Sequence, residues 1–221
     1  MSGMVSIKSR TTSDARTRFL NDTARHAMQV LRDDGLYRHL HFAAPGTYCQ
    51  SFDIATWPGR LCYTGDMGTY VFARLPDMFE FFRQDPNREP NFDYWSEKCE
   101  ARDRDGIRIY SPDLFRAAVR GDVDEFVRRH RLNRHEAKSL REQVAWCVLA
   151  EADVATEAVG AVGAFVWQNK GQVFPDFWEH RLEEFAPRFI WCCYALPWAI
   201  AKYDAAVAPA AEPATPGMAQ A

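Results

Sequence analysis

The sequence predicts an α+β fold: a short antiparallel β-meander over about residues 37–75, packed with a mostly helical remainder. Two observations lead to this prediction. Between residues 37 and 75, short aromatic and β-branched runs are separated by the turn sequences Pro45-Gly46, Pro58-Gly59 and Gly65-Asp66-Met67-Gly68. Beyond residue 110, capping residues instead precede helically spaced apolar residues. Because strands close in sequence tend to pair in order, we expect the meander strands to pair sequentially.

The turns divide the predicted meander into four strands. They are Arg38–Ala43, Thr47–Trp57, Leu61–Thr64 and Tyr70–Ala73. The two glycines of the last turn supply the positive φ that a tight hairpin requires.

Helices are expected on both sides of the meander. Ser13 or Asp14 is expected to cap a helix that runs to about Asp33 and ends at Gly35. Its apolar face would consist of Leu20, Ala24, Ala27 and Leu31. After the meander, Pro76 is expected to open a helix over Asp77–Arg83, and a short helix is expected around Tyr94–Ala101.

Start signals predict three helices between residues 111 and 151. Ser111-Pro112 opens the first, which is expected to end at Gly121. Asp122 with Glu125 forms a capping-box pattern for the second, and Asn133 with Glu136 repeats it for the third, which should reach about Glu151.

The C-terminal part is also predicted to be helical. Residues 154–168 favour a helix over a buried strand, and Ile107–Tyr110 favours a short strand. Asp176 is expected to cap a final helical region that reaches about Tyr203 and is kinked or divided at Pro187 and Pro197.

Length and composition favour one domain over residues 13–204 of the 221-residue chain, with disordered segments at 1–12 and 205–221. The second segment is Ala/Pro-rich and offers little apolar surface for burial. A net charge of −3 argues against a globally basic nucleic-acid binder. The longest apolar run, 189–201, is shorter than a membrane span, so we expect a soluble protein without membrane contact.

Cysteine spacing and the absence of catalytic motifs favour a non-enzymatic protein without cofactors or metal. The six cysteines form no C-x-x-C pair, which argues against metal knuckles and redox motifs and suits the reducing cytoplasm. The chain contains no G-x-S-x-G, H-E-x-x-H or phosphate-loop pattern. A metal-dependent enzyme with its site on the meander remains an alternative.

The first candidate site is a binding surface on the meander. Aromatic and arginine side chains anchor many protein interfaces, and the chain is rich in aromatics. We expect Trp57, Arg60, Tyr63 and Tyr70 to face outward, with Asp66 at the tip of the Gly65–Gly68 turn. The competing interpretation is a hairpin that needs its glycines for conformational reasons alone.

The second candidate is a basic segment that resembles a helix-turn-helix over residues 122–142. Its basic side chains are Arg128, Arg129, Arg131, Arg134, Lys138 and Arg141. Arginine forks suit guanine edges and phosphates. The competing interpretation is a solvated surface, balanced by the acidic residues of the same segment.

The third candidate is a metal site at His39 and His41. Alternate residues of a strand share one face, so both imidazoles should point the same way. Asp53 or Asp66 on a neighbouring strand could add a ligand. The competing interpretation is a polar sheet face, since a third ligand is not identified.

Three stretches resemble segments of uncharacterised proteins encoded by bacteriophages and prophages. They are Leu61–Arg83 (LCYTGDMGTYVFARLPDMFEFFR), Asn91–Lys98 (NFDYWSEK) and Arg188–Asp204 (RFIWCCYALPWAIAKYD). The resemblance covers about a quarter of the chain and implies a phage or mobile-element origin, but it implies no activity. Pro197 departs from the continuous helix expected there.

Together these observations predict a phage or prophage accessory protein that binds a host or phage macromolecule in the bacterial cytoplasm. A protein partner is favoured over a nucleic acid. Nucleic-acid binding through residues 122–142 is the first alternative.

Overall fold

The computed structural model describes residues 14–168 and 170–208. The chain divides into two compact units: one combines the chain up to Ile107 with the chain from Ala186, and the other is residues 108–185. Two such units are compatible with one domain or two, so the single domain over 13–204 stays a prediction. Residues 1–12 and 209–221, where disorder was predicted, lie outside the described residues.

The first unit is built on a six-stranded antiparallel sheet in the order β1-β2-β3-β4-β5-β6. The strands are β1 Ala27–Asp34, β2 Tyr37–Ala43, β3 Phe52–Trp57, β4 Arg60–Gly65, β5 Gly68–Ala73 and β6 Cys99–Arg102. Each strand pairs with the next along the chain, which confirms the predicted meander and adds one strand at each edge.

Helices occur in both units and make up most of the second. They are α1 (residues 14–22), α2 Met78–Phe82, α3 Phe92–Glu97, α4 Pro112–Arg129, α5 Arg134–Cys147, α6 Ala155–Ala164 and α7 Pro187–Val207. The α+β fold class is therefore confirmed. Among the described residues, no helix has both the length and the apolar character needed to cross a membrane.

One face of the sheet is buried against aromatic residues of α7. Leu40, Phe42, Phe52 and Ile54 alternate with half-buried residues along β2 and β3, which is the two-residue period of a one-sided sheet. The ring centres of Phe52 and Trp191 are 5.6 Å apart, and those of Phe42 and Trp198 are also 5.6 Å apart. This inner face forms the core of the first unit.

Helix α7 is not divided at Pro197, where the sequence predicted a kink or a division. Pro187 is its first residue, a position that needs no N–H donor, and Pro197 lies inside it. The turn around Pro197 is buried, so packing against the sheet offsets the lost backbone hydrogen bond. The helix reaches Val207, so the first three residues of the predicted disordered tail are helical.

The prediction of one helix from Asp14 to Asp33 is wrong. Residues 14–22 are helical, but 27–34 form strand β1, which pairs with β2 through a two-residue turn at Gly35-Leu36. Leu31, expected on the buried helix face, is 49% exposed. Gly35, the first residue of this turn, has a φ of +60°, a left-handed conformation that favours glycine.

Other boundaries in the first unit also differ from the predictions. Strand β3 begins at Phe52 instead of Thr47, because residues 44–51 form a loop. Asp77, and not Pro76, precedes the first turn of α2, and its carboxylate accepts a hydrogen bond from the Phe79 N–H at 2.9 Å. The helix predicted around Tyr94–Ala101 ends at Glu97, and the chain continues into β6.

The second unit begins and ends with a two-stranded pair, β7 (Arg108–Tyr110) and β8 (Glu183–Phe185). Helix α4 runs through Gly121, so the two separate helices predicted there are wrong. Val119 and Val123 lie on its buried face on either side of Gly121, and this burial outweighs the low helix propensity of glycine.

Later helices of this unit match the predictions in part. The capping box of Asn133 and Glu136 at the start of α5 is confirmed, although α5 ends at Cys147 and a short 3₁₀ helix follows at Leu149–Glu151. Helix α6 lies within the predicted 154–168 segment. Asp176 makes no side-chain cap; it precedes a 3₁₀ turn, Phe177–Glu179, and β8 follows.

Candidate functional site

The side chains on the second face of the sheet are half-buried or exposed. We call this surface the open sheet face, and its members are His39, His41, Asp53, Ala55, Trp57, Arg60, Cys62 and Val71. Strand register places them in directly opposite pairs, such as Ala55 with Cys62 and Trp57 with Arg60. The open sheet face therefore has a centre of small side chains between two polar ends.

One end of the open sheet face carries two histidines that share a carboxylate. His39 Nε2 lies 2.9 Å from Asp53 Oδ1, and His41 Nδ1 lies 3.2 Å from both Asp53 oxygens. The predicted common face of the two imidazoles is thus correct, and Asp53 is the acidic neighbour. Within 14–168 and 170–208, no group of three or more His, Cys, Asp or Glu side chains has the geometry to hold a metal ion.

At the other end, Trp57 stands beside Arg60. The Trp57 side chain is 40% exposed. Arg60 donates from Nη1 to the Gly59 carbonyl at 3.0 Å and pairs through Nε with Glu100 Oε2 at 3.0 Å. Two of the predicted binding residues therefore lie together on an accessible surface.

A shallow groove of about 700 Å³ opens next to this pair. It is lined by residues 58–60 and 73–76, and by Glu97, Lys98 and Glu100. The Gly59 N–H donates to the Pro76 carbonyl at 2.9 Å, which holds two sides of the groove together. Lys98 Nζ lies 3.6 Å from Glu97 Oε2 and 5.0 Å from the centre of the Tyr94 ring.

Tyr63 and Tyr70 face the core, so the prediction that they point outward is wrong. Both side chains are fully buried, and they face each other across β4 and β5 with ring centres 6.3 Å apart. Burial raises the pKa of both hydroxyls. The alternation of Leu61 and Tyr63 with Arg60 and Cys62 is the sequence signal that indicates this inward orientation.

Asp66 stabilises a loop. Its Oδ2 accepts a hydrogen bond from the Gln50 N–H at 2.9 Å, and its own N–H donates to the Ser51 carbonyl at 3.0 Å. A Cβ on Gly65 would lie only 2.7 Å from Phe52 Cα, and Gly68 has a φ of +101°. The hairpin therefore needs both glycines for conformational and packing reasons.

The basic segment lies in the second unit, on the end of α4, the connection and α5. Its predicted contact residues Arg128, Arg129, Arg131, Arg134 and Lys138 are all exposed. Several of its cations face carboxylates: Arg129 pairs with Glu125 at 2.6 Å, and Lys138 with Glu142 at 3.7 Å. Residues 122–142 contain six Arg or Lys and five Asp or Glu, so the segment is nearly neutral.

Sequence reasoning missed most residues of the groove. Arg74, Lys98 and Glu100 come together because β6, which was not predicted, pairs with β5. Two of the stretches that resemble phage proteins, Leu61–Arg83 and Asn91–Lys98, contribute to the lining. No local pattern in the sequence connects these residues, because the pairing of β5 with β6 is long-range.

No protein-family model, curated protein or solved structure matches this chain. The phage and prophage resemblance therefore stays an expectation.

Proposed function

We propose that this protein is a non-enzymatic phage or prophage accessory protein that binds a host or phage protein through the Trp57 end of the open sheet face and the adjoining groove. The observation that carries the proposal is the exposed Trp57–Arg60 pair at the mouth of a charged groove. Tryptophan and arginine are among the side chains most enriched in residues that dominate binding energy.

The surroundings of the pair suit a protein surface. The centre of the open sheet face carries small side chains at Ala55, Cys62 and Val71, over which a partner can approach closely. Burial raises the pKa of the Cys62 thiol, so this centre is uncharged at neutral pH. Polar residues border it at both ends, as in interfaces with an apolar centre and a polar rim.

The groove is open and shallow, which suits a segment of a macromolecule better than a small substrate. Small-molecule sites usually bury most of their ligand in a deep cleft. The balanced charges of residues 122–142 also favour a protein partner over a nucleic acid, since nucleic-acid affinity depends on cations that remain available to phosphates.

As part of the same proposal, the protein binds its partner in the cytoplasm of the bacterial host. All six cysteines are free thiols, as expected in a reducing compartment.

The test is capture of a partner from infected or lysogenic cells by the wild type and by matched double variants. We expect Trp57→Ala with Arg60→Glu to weaken binding of a captured protein more than about tenfold, because it removes both anchors. Trp146→Ala with Arg120→Glu, which alters an exposed tryptophan and arginine of the second unit, should leave binding unchanged. Equal capture by both double variants, or no reproducible capture by the wild type, would contradict the proposal.

A further inference from the structure

Resting on the proposed function, we propose that the groove binds an acidic segment of the partner protein. In this proposal, partner carboxylates pair with Arg60, Arg74 and Lys98, and they replace Glu97 and Glu100, which now pair with two of these cations. The inference names the chemistry of the partner, which the proposed function leaves open.

Strand pairing gathers the three cations from separate parts of the chain. Arg60 begins β4 and lies directly opposite Ala73 at the end of β5, and Arg74 follows Ala73. The Ala73 N–H donates to the Lys98 carbonyl at 3.0 Å, which places Lys98 beside the same strand end. The cations therefore line a single groove where β4 begins and β5 ends.

The two ion pairs within the groove can be replaced by ion pairs with a ligand. Arg60 and Glu100 side chains are 40% and 54% exposed, and Lys98 and Glu97 are 27% and 65% exposed. Pairs this exposed contribute little to folding, because each partner is almost as well solvated by water. A ligand carboxylate can therefore displace either glutamate without loss of a buried interaction.

Arg74 supplies a cation that is open to a ligand. Its side chain is exposed, and none of the ion pairs found among residues 14–168 and 170–208 involves it. Its backbone N–H contacts Met78 Sδ at 3.2 Å, so the main chain is fixed while the guanidinium remains available. An arginine held in this way can bind a carboxylate in a bidentate pair.

The walls of the groove favour a peptide over a nucleic acid. Pro58, Pro76 and the adjoining Trp57 provide apolar contacts beside the cations. The groove has only three cations, and two glutamates partly neutralise them. Its positive potential is therefore weak, whereas binding of a phosphate backbone depends on many available cations. A peptide with spaced carboxylates matches this mixed lining.

The test uses a fluorescein-labelled peptide of ten glutamates, with binding to the full-length protein followed by fluorescence anisotropy. We expect binding at low salt that weakens steeply when salt is raised about tenfold, since exposed charge pairs are screened. Arg74→Ala and, independently, Arg74→Gln should each weaken binding about tenfold. Glu100→Gln should strengthen it severalfold, because it removes an internal competitor.

Two controls test whether binding is specific to the groove and to acidic peptides. Arg120→Ala removes an exposed arginine of the second unit and should leave the affinity unchanged. A labelled peptide of ten lysines should not bind. The acidic-segment inference is wrong if decaglutamate does not bind at low salt, if the Arg74 variants bind as well as Arg120→Ala, or if a labelled ten-nucleotide oligothymidylate binds better and responds to the same substitutions.

These outcomes separate the inference from the proposed function. Loss of a captured partner in the Trp57 and Arg60 double variant, together with no decaglutamate binding, supports the proposed function and overturns the acidic segment. If decaglutamate binds but no partner is captured, the result supports binding of acidic segments by the groove and overturns the proposed function.

Discussion

The Arg38–Asp77 pair shows how single residues stabilise the inner face of the sheet. Arg38 Nη1 and Nη2 donate to the two Asp77 oxygens at 2.8 and 3.0 Å, and the guanidinium lies 4.6 Å from the centre of the Phe79 ring. Burial opposes the charge on Asp77, but hydrogen bonds from Arg38 and from the Phe79 N–H outweigh it and lower the pKa of that carboxyl. The charged pair is therefore favoured in the folded state.

Asp77→Asn should destabilise the protein by about 3 kcal/mol at pH 7, because it leaves a mostly buried arginine without its carboxylate. Since the pKa of Asp77 is lower in the folded protein than in the unfolded chain, its stabilisation is present above about pH 4 and is lost as the pH falls through the folded pKa. Urea unfolding of both proteins across this pH range should show the difference shrinking on acidification.

Glu125→Gln serves as the control, since it breaks an exposed i, i+4 pair with Arg129 and should cost less than about 0.5 kcal/mol. A difference between Asp77→Asn and wild type that stays constant down to pH 3 would mean that the charge of Asp77 is not the cause.

At the scale of elements, helix α4 shows that local sequence signals alone do not determine where a helix ends. Gly121 and the Asp122–Glu125 pattern both predict a break, yet the helix is continuous from Pro112 to Arg129. Burial of Val119 and Val123 on one face decides the outcome, since most helical stability in proteins comes from packing of the apolar face.

Gly121→Ala should therefore stabilise the protein by about 0.5–1 kcal/mol. The glycine has no positive φ, and an added Cβ would meet no atom within 4 Å. Thermal unfolding followed by circular dichroism would measure the change. Gly59→Ala is the contrasting control: its φ of +79° should make that substitution destabilising. Destabilisation by Gly121→Ala would instead indicate the break that the sequence predicts.

At the scale of the whole molecule, the second unit is inserted between two neighbouring points of the first. Ala186 N–H donates to the Ile107 carbonyl at 2.8 Å, so residues 107 and 186 are adjacent within the first unit. The sheet, α7 and every groove residue belong to that unit.

We expect a variant that joins Ile107 to Ala186 through a short Gly-Ser linker, without residues 108–185, to retain a cooperatively folded sheet. The physical reason is that a short loop can close this gap and that the core between the sheet and α7 lies within the first unit. Dispersed amide NMR signals and a single thermal transition would support two domains. An unfolded variant would support the single domain over 13–204.

Local signals predicted the parts of the fold that depend on neighbours in sequence, such as the meander turns and the capping box at Asn133 and Glu136. They also indicated that His39 and His41 share a face, because the two-residue period of a strand is local. By contrast, the prediction that Tyr63 faces outward is wrong, although its alternation with Arg60 and Cys62 follows the same two-residue period.

Where local sequence signals conflicted, the tertiary structure determined which secondary structure formed. Residues 27–34 carry a helical apolar spacing but are followed by a turn at Gly35-Leu36, and pairing with β2 favoured the strand. The groove brings Arg60, Arg74 and Lys98 together through pairing of β4, β5 and β6, over separations that no short pattern encodes. By itself, therefore, the sequence determined an α+β protein with a β-meander, whereas long-range pairing and burial determined its edges, its helix lengths and its candidate binding surface.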